Sequence, residues 1–276
     1  MVNATCIFMK SKSLYFLFSI LFSVNLAVKA QFLFTESFVM IPIDTQRHYI
    51  GNIVGGFSSQ SQKETVNQVA VRAEMAMRLK QNRILTIANN MQVITYGNQT
   101  VLSGGYLFAR FRNDISRSLY PEYFAQVQWL ETRGLEQKFA LTANIRKRIF
   151  RDKTLTLATA AGLVFDYEKW NFDGVKAEII PANANSKETY NPRFNWYFSY
   201  DHQINESINI NAGLYYFVRT SFSNPSPRIG SHIRFSYVIN KNLRLNLNLK
   251  AMYEYQPVVP VSNLWYIFNN ELAFTF

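Results

Sequence analysis

Cysteine is nearly missing from this chain: Cys6 is the only one in 276 residues. It lies ahead of the first apolar run, where a lipid-bearing cysteine would follow it. Beyond that run there is no thiol for a disulfide, a metal or a nucleophile. Long apolar runs are equally scarce. Only Leu14–Val28 comes near one, and nothing reaches the roughly 20 residues that a spanning helix needs. Histidine is limited to His48, His202 and His232, none spaced from another as metal ligands are, so neither metal nor cofactor is expected. A Gly-x-Ser-x-Gly elbow is absent, and from Tyr49 onward no stretch keeps a helical period.

What is present begins with an export signal. Lys10 and Lys12 precede the apolar run, and Val28-Lys29-Ala30 places small residues at the −3 and −1 positions. This order predicts a secretory signal peptide over residues 1–30, with Gln31 as the new N-terminus; a retained anchor is the alternative. Residues 31–48 read as a lead-in, because Pro42 and Asp44 argue against a continuous strand. Removing the leader takes three lysines and leaves 26 basic against 18 acidic residues, a net +8. Those cations alternate with apolar residues instead of clustering, which argues against a nucleic-acid partner.

The rest alternates. From Leu264 to Phe276 every second residue (Leu264, Tyr266, Phe268, Asn270, Leu272, Phe274, Phe276) lies on one largely apolar face of a strand. A long apolar edge strand invites aggregation unless a barrel closes over it. Eleven further runs with the same period precede it, starting near Tyr49, Glu64, Asn82, Val101, Glu122, Leu135, Thr154, Pro192, Ser207, Arg228 and Leu243. The predicted fold is all-β: a transmembrane antiparallel up-and-down β-barrel of about twelve strands over residues 49–276, with ten and fourteen as alternatives. The faces of strand four stay unassigned, because Tyr106 and Phe108 share parity with Arg110 and Arg112. Connections after strands two, six, eight and ten are short, and the longest, Glu168–Asn191, lies at the other end; the connection at Asn113–Pro121 is longer than the pattern wants. Such asymmetry puts both termini in the periplasm.

Inward positions carry Arg72, Arg78, Lys138, Arg146, Arg193, Arg219, Arg234, Arg244 and Lys250, with Glu74, Asp201, Glu254 and Glu271, and His232 among them. Two readings compete for these lumen-lining residues. Either the charges pair across strands into a plug that stiffens the wall, or a cationic excess lines a passage that favours anions. Ser231 points away from His232, which weakens a serine-hydrolase reading. Asp201-His202 reads as a rim pair. Tyr123, Trp129, Phe165, Tyr167, Trp170, Phe194, Trp196, Tyr253 and Tyr266 suggest interfacial girdles.

The stretch from Pro121 to Lys138, with Ala143–Arg146 and Ala161–Trp170, carries aromatic–Gln–Arg-Gly-Leu and Gly-Leu-x-aromatic-x-Tyr-Glu hairpins. These resemble a family of salt-induced, YdiY-like outer-membrane proteins, a domain-of-unknown-function family. The resemblance spans roughly residues 49–276 and implies an outer-membrane barrel of a Gram-negative envelope; it supplies no catalytic residues. The expected role is structural, or passage of small solutes with a preference for anions. The alternatives are a lipid-modifying barrel enzyme and an adaptor docking an envelope protein through Glu168–Asn191. Expected partners are outer-membrane lipid and lipopolysaccharide. The barrel-assembly machinery is another, with Leu272, Phe274 and Phe276 as its signal.

Overall fold

The computed structural model describes residues 48–275 except 62–63, 173–174, 176–179, 181–185 and 222–224. The leader, most of the lead-in and Phe276 lie outside the described residues. Twelve strands follow one another: β1 (Tyr49–Ser61), β2 (Thr65–Leu79), β3 (Arg83–Tyr96), β4 (Gln99–Arg112), β5 (Leu119–Leu130), β6 (Leu135–Arg151), β7 (Leu155–Trp170), β8 (Lys187–Gln203), β9 (Ile208–Arg219), β10 (Arg228–Val238), β11 (Leu243–Glu254) and β12 (Leu264–Thr275). Each pairs antiparallel with its neighbours in sequence, and β12 returns to β1, so the sheet is a closed barrel. Among the described residues the closing seam is the shortest ladder, with Asn52 opposite Thr275 and Ile53 opposite Phe274. The twelve-strand count is therefore the correct one of the three.

Alternation sorts the side chains into an apolar outside and a polar inside. Along β6 the outward positions Phe139, Leu141 and Ile145 are exposed, while Thr142, Asn144 and Arg146 at the alternate positions are buried. In β12 Leu264, Tyr266, Phe268, Leu272 and Phe274 are exposed, and Ile267 and Ala273 are buried. The outer wall repeats this on β2, β8, β9 and β10 (Val71, Phe194, Leu214, Ile233), with Asn89 and Asn270 as neutral interruptions. Water does not favour such a wall: a soluble monomer rarely exposes an apolar patch larger than a few hundred Å². Within the wall, many charged residues, a class usually found on the surface, are buried on the inner face.

Both termini of the barrel lie at one end. Links at that end run over residues 80–82, 113–118, 152–154, 204–207 and 239–242, all short. The opposite end carries longer segments over residues 171–186, 220–227 and 255–263. Asp152 makes the β6–β7 turn tight. Its carboxylate accepts the backbone N–H of Thr154 at 2.7 Å and of Leu155 at 2.6 Å, which holds its pKa below the usual carboxylate value. In the β2–β3 turn Gln81 and Asn82 take left-handed backbone (φ 60° and 55°), and the Arg78 guanidinium donates to Asn82 at 2.8 Å.

Besides shifts of one or two residues at strand ends, the structure changes the sequence reading at three places. Strand β5 begins at Leu119, so Pro121 sits inside it and the long link at Asn113–Pro121 shrinks to residues 113–118. Strand β7 runs on to Trp170 and β8 starts at Lys187, so Glu168 and Asn191 belong to the wall; the connection proper is residues 171–186. Strand β4 turns all of Tyr106, Phe108, Arg110 and Arg112 inward, while Leu107 is exposed.

Candidate functional site

The functional candidate is the lumen, because the inward faces of all the strands meet there. Eight strand-borne cations are buried (Arg72, Arg110, Arg112, Arg146, Arg193, Arg228, Arg234 and Lys250) against five carboxylates (Glu74, Glu122, Asp166, Glu168 and Glu254). Glu271 adds a sixth, partly buried. Unpaired charges at such depth are costly, so most are gathered into networks.

The first network lies toward the end opposite the termini. Glu168 on β7 accepts both arms of Arg228 on β10, at 2.6 and 2.9 Å, a fork-to-fork pair across the lumen. Lys138 on β6 donates to the same carboxylate at 2.9 Å, and the Trp170 indole N–H does so at 3.1 Å. Asp166 holds Arg193 at 3.0 Å, with Lys138 and Arg228 each 3.8 Å away. Glu254 on β11 stands 3.8 Å from Arg228. An apolar lid covers this network: Val258 and Val259 of the β11–β12 connection pack on Leu130, Leu135 and Trp170. Arg133, in a 3-10 turn at Glu131–Arg133, holds that connection by donating to the Ser262 carbonyl and lying 5.4 Å over the Trp265 ring.

A second network joins the closing strands. Arg72 on β2 donates to Glu271 on β12 at 2.6 Å and lies 3.5 Å from Glu74. Arg234 donates to Asn248 at 2.7 Å. The third network sits nearer the termini. Glu122 accepts Arg112 at 2.6 Å and the Tyr197 hydroxyl, and Arg146 donates to Tyr197 and, at 2.9 Å, to Ser199. Aromatic side chains fill the space between: Tyr106, Phe108 and Tyr197 are all at most 1% exposed. Packing is so close that a Cβ on Gly213 would collide with the His232 ring and the Tyr215 hydroxyl. One cavity inside, bounded by Gln126, Lys138, Asp166, Arg193 and Arg228, measures about 40 Å³, room for a few waters.

Of the predicted lumen residues, Arg72, Glu74, Lys138, Arg146, Arg193, Arg234, Lys250 and Glu254 lie in or beside these networks. Arg78, Arg219 and Arg244 are inward but only partly buried, toward the rims. His232 is buried, bonded to Asn211 at 2.9 Å and stacked 5.6 Å from Tyr215. Ser236, on its face, donates to Asn246 at 2.7 Å. The Asp201-His202 rim pair does not form. Neighbouring strand residues point to opposite faces, so Asp201 accepts from Asn211 inside while His202 meets Tyr200 outside. Trp170 leaves the proposed girdle for the lumen. Among the described residues no three His, Cys, Asp or Glu side chains gather as a metal site would need.

The sequence reading missed Glu122, Asp166, Glu168, Arg110, Arg112 and Arg228. The alternation of Leu163, Phe165 and Tyr167 already turns Asp166 inward, and one further residue adds Glu168. Arg228, the first residue of strand ten in the sequence reading, shares the inward parity of His232 and Arg234.

A closed, twelve-stranded, up-and-down barrel with an apolar exterior and an ion-paired, filled lumen is thus the class this chain defines. Within that class it belongs to the family described as "Protein of unknown function, DUF481", whose model matches residues 54–262. This agrees with the resemblance to a barrel family of unknown function. A search of curated proteins gives no significant match. Among solved structures, the chain is similar to the translocator domain of the autotransporter NalP from Neisseria meningitidis, at 10% identity and a TM-score of 0.49 over 85% of this chain and 90% of that one. Another is the KdgM porin in complex with disordered oligogalacturonate, at 10% identity and a TM-score of 0.39 over 82% of this chain and 96% of that one. The NanC porin matches at 9% identity and a TM-score of 0.41 over 82% and 97%.

Proposed function

We propose that this chain is an exported outer-membrane β-barrel of a Gram-negative envelope. Its role there is structural, with a lumen closed to bulk solutes in this conformation. The observation that carries the reading is the inverted polarity: apolar side chains outside, paired charges within. A bilayer core satisfies no backbone groups, and a closed sheet satisfies its own. The outward wall then meets lipid and lipopolysaccharide, and β12, which carries Leu272 and Phe274, meets the assembly machinery. Outer-membrane fractionation with heat-modifiable gel migration tests this. The protein should partition with the outer membrane and migrate faster unheated; a soluble fraction with no heat shift overturns it.

Passage of small solutes is the narrower part of the reading. Buried cations outnumber buried carboxylates, so any residual current should favour anions. In planar bilayers under a potassium chloride gradient, we expect no large steady conductance and an anion-selective reversal potential for whatever leakage remains. A wide, steady channel or cation selectivity contradicts the filled, cationic lumen. A lipid-modifying role has less support, because His232 and Ser236 are each engaged by asparagines. The adaptor reading rests on the β7–β8 connection, much of which lies outside the described residues.

A further inference from the structure

The rim opposite the termini carries a pocket that the paired networks leave out. Its volume is about 310 Å³, at the lower end of small-molecule sites. Lys187, Thr189 and Asn191 line it from alternate positions of β8, Arg219 from the end of β9, and Pro257 and Val258 from the β11–β12 connection. No carboxylate is among its described lining residues. Three of its polar atoms are buried with no hydrogen-bond partner: Thr189 Oγ1, Asn191 Nδ2 and Arg219 Nε. Two of these are N–H donors, and the hydroxyl can donate. A buried donor without an acceptor costs stability, so three converging on one pocket call for an explanation.

The register sharpens the point. Arg219 lies directly opposite Arg193 on the same face. Like charges in that arrangement repel. Arg193 has Asp166 as counter-ion at 3.0 Å, whereas among the described residues no ion pair or hydrogen bond engages the Arg219 side chain. Lys187, exposed at the pocket, adds a further positive charge. An anion among these groups would supply the acceptors and relieve the repulsion.

We propose that this pocket binds a small oxyanion, the phosphate or carboxylate group of a solute. Arg219 supplies the central charge, and Lys187, Thr189 and Asn191 the remaining donors. The space exceeds a bare ion, so Pro257 and Val258 form the apolar wall against which a small organic body rests. This goes beyond the barrel reading, since binding is measured on micelle-folded protein whatever its cellular location.

The test is titration calorimetry on the mature protein folded in detergent micelles, in Tris chloride, with inorganic phosphate, glycerol 3-phosphate, acetate and glycerol. Saturable binding is expected for an oxyanion and none for glycerol. Phosphate without acetate assigns a phosphate group, and acetate of equal strength a carboxylate; either upholds the site. Arg219→Gln should weaken binding about tenfold or more, the worth of one charged hydrogen bond. Lys187→Gln, at an exposed position, should fold normally and weaken it less. Absence of saturation with all three oxyanions, or wild-type affinity in both variants, overturns the proposal.

Discussion

Glu168→Gln is expected to destabilise the folded barrel by about 3–5 kcal/mol, the cost of breaking a buried ion pair by removing one partner. Glutamine keeps the shape, so the change isolates the charge. Glu168 is completely buried and accepts from Arg228 at 2.6 and 2.9 Å, from Lys138 at 2.9 Å and from Trp170 at 3.1 Å. Without its charge, Arg228 keeps only Asp166 and Glu254, each 3.8 Å away. Urea unfolding in phospholipid vesicles should move the midpoint with little change in slope. The control is Glu136→Gln, which breaks the Glu136–Lys169 pair at 2.9 Å, where both side chains are about one third exposed. That pair is worth about 0–1 kcal/mol. Adding Arg228→Met to Glu168→Gln should recover only part of the loss: it removes the stranded guanidinium, but Glu254, 3.8 Å from Arg228, then loses its counter-ion, and Lys138 has already lost the Glu168 charge. If Glu168→Gln costs no more than the control, the network is not what holds the lumen together.

The strands were legible in the sequence because a two-sided wall between lipid and lumen imposes a strict period of two. Leu243, Leu245, Leu247 and Leu249 against Arg244, Asn246, Asn248 and Lys250 leave one reading of β11. Strand β4 resisted because a filled lumen needs bulk as well as charge. Tyr106 and Phe108 therefore share the inward face with Arg110 and Arg112, and an aromatic there carries no sign of its side. Trp170 misled for the same reason. Charged residues at strand ends look like loop residues, so Glu122 and Glu168 were cut from the wall or left at its edge. The pairings were out of reach. Arg228 and Glu168 are 60 residues apart on strands that are not neighbours, and they meet only across the lumen. Arg72 and Glu271 are 199 apart and meet only because the barrel closes. Alternation gives the face of a residue, while its partner depends on the tilt and stagger of the closed sheet.

The outward face offers the complementary test. Leu141 is 63% exposed near the middle of β6, so in water an arginine there would be nearly neutral. In a bilayer the same side chain meets hydrocarbon, and Leu141→Arg should cost about 2–4 kcal/mol. Ile149 is 54% exposed on the same strand but lies beyond Lys147, an outward lysine that marks where the apolar band stops. Ile149→Arg should therefore cost about 0–1 kcal/mol, the interfacial value. Urea titration of both variants in vesicles, read by gel mobility of the folded form, gives the two costs. A large difference between positions of similar exposure has no source except a change of solvent along the strand. Equal costs would mean that this wall does not meet lipid, and the inverted polarity of the barrel would need another partner to cover it.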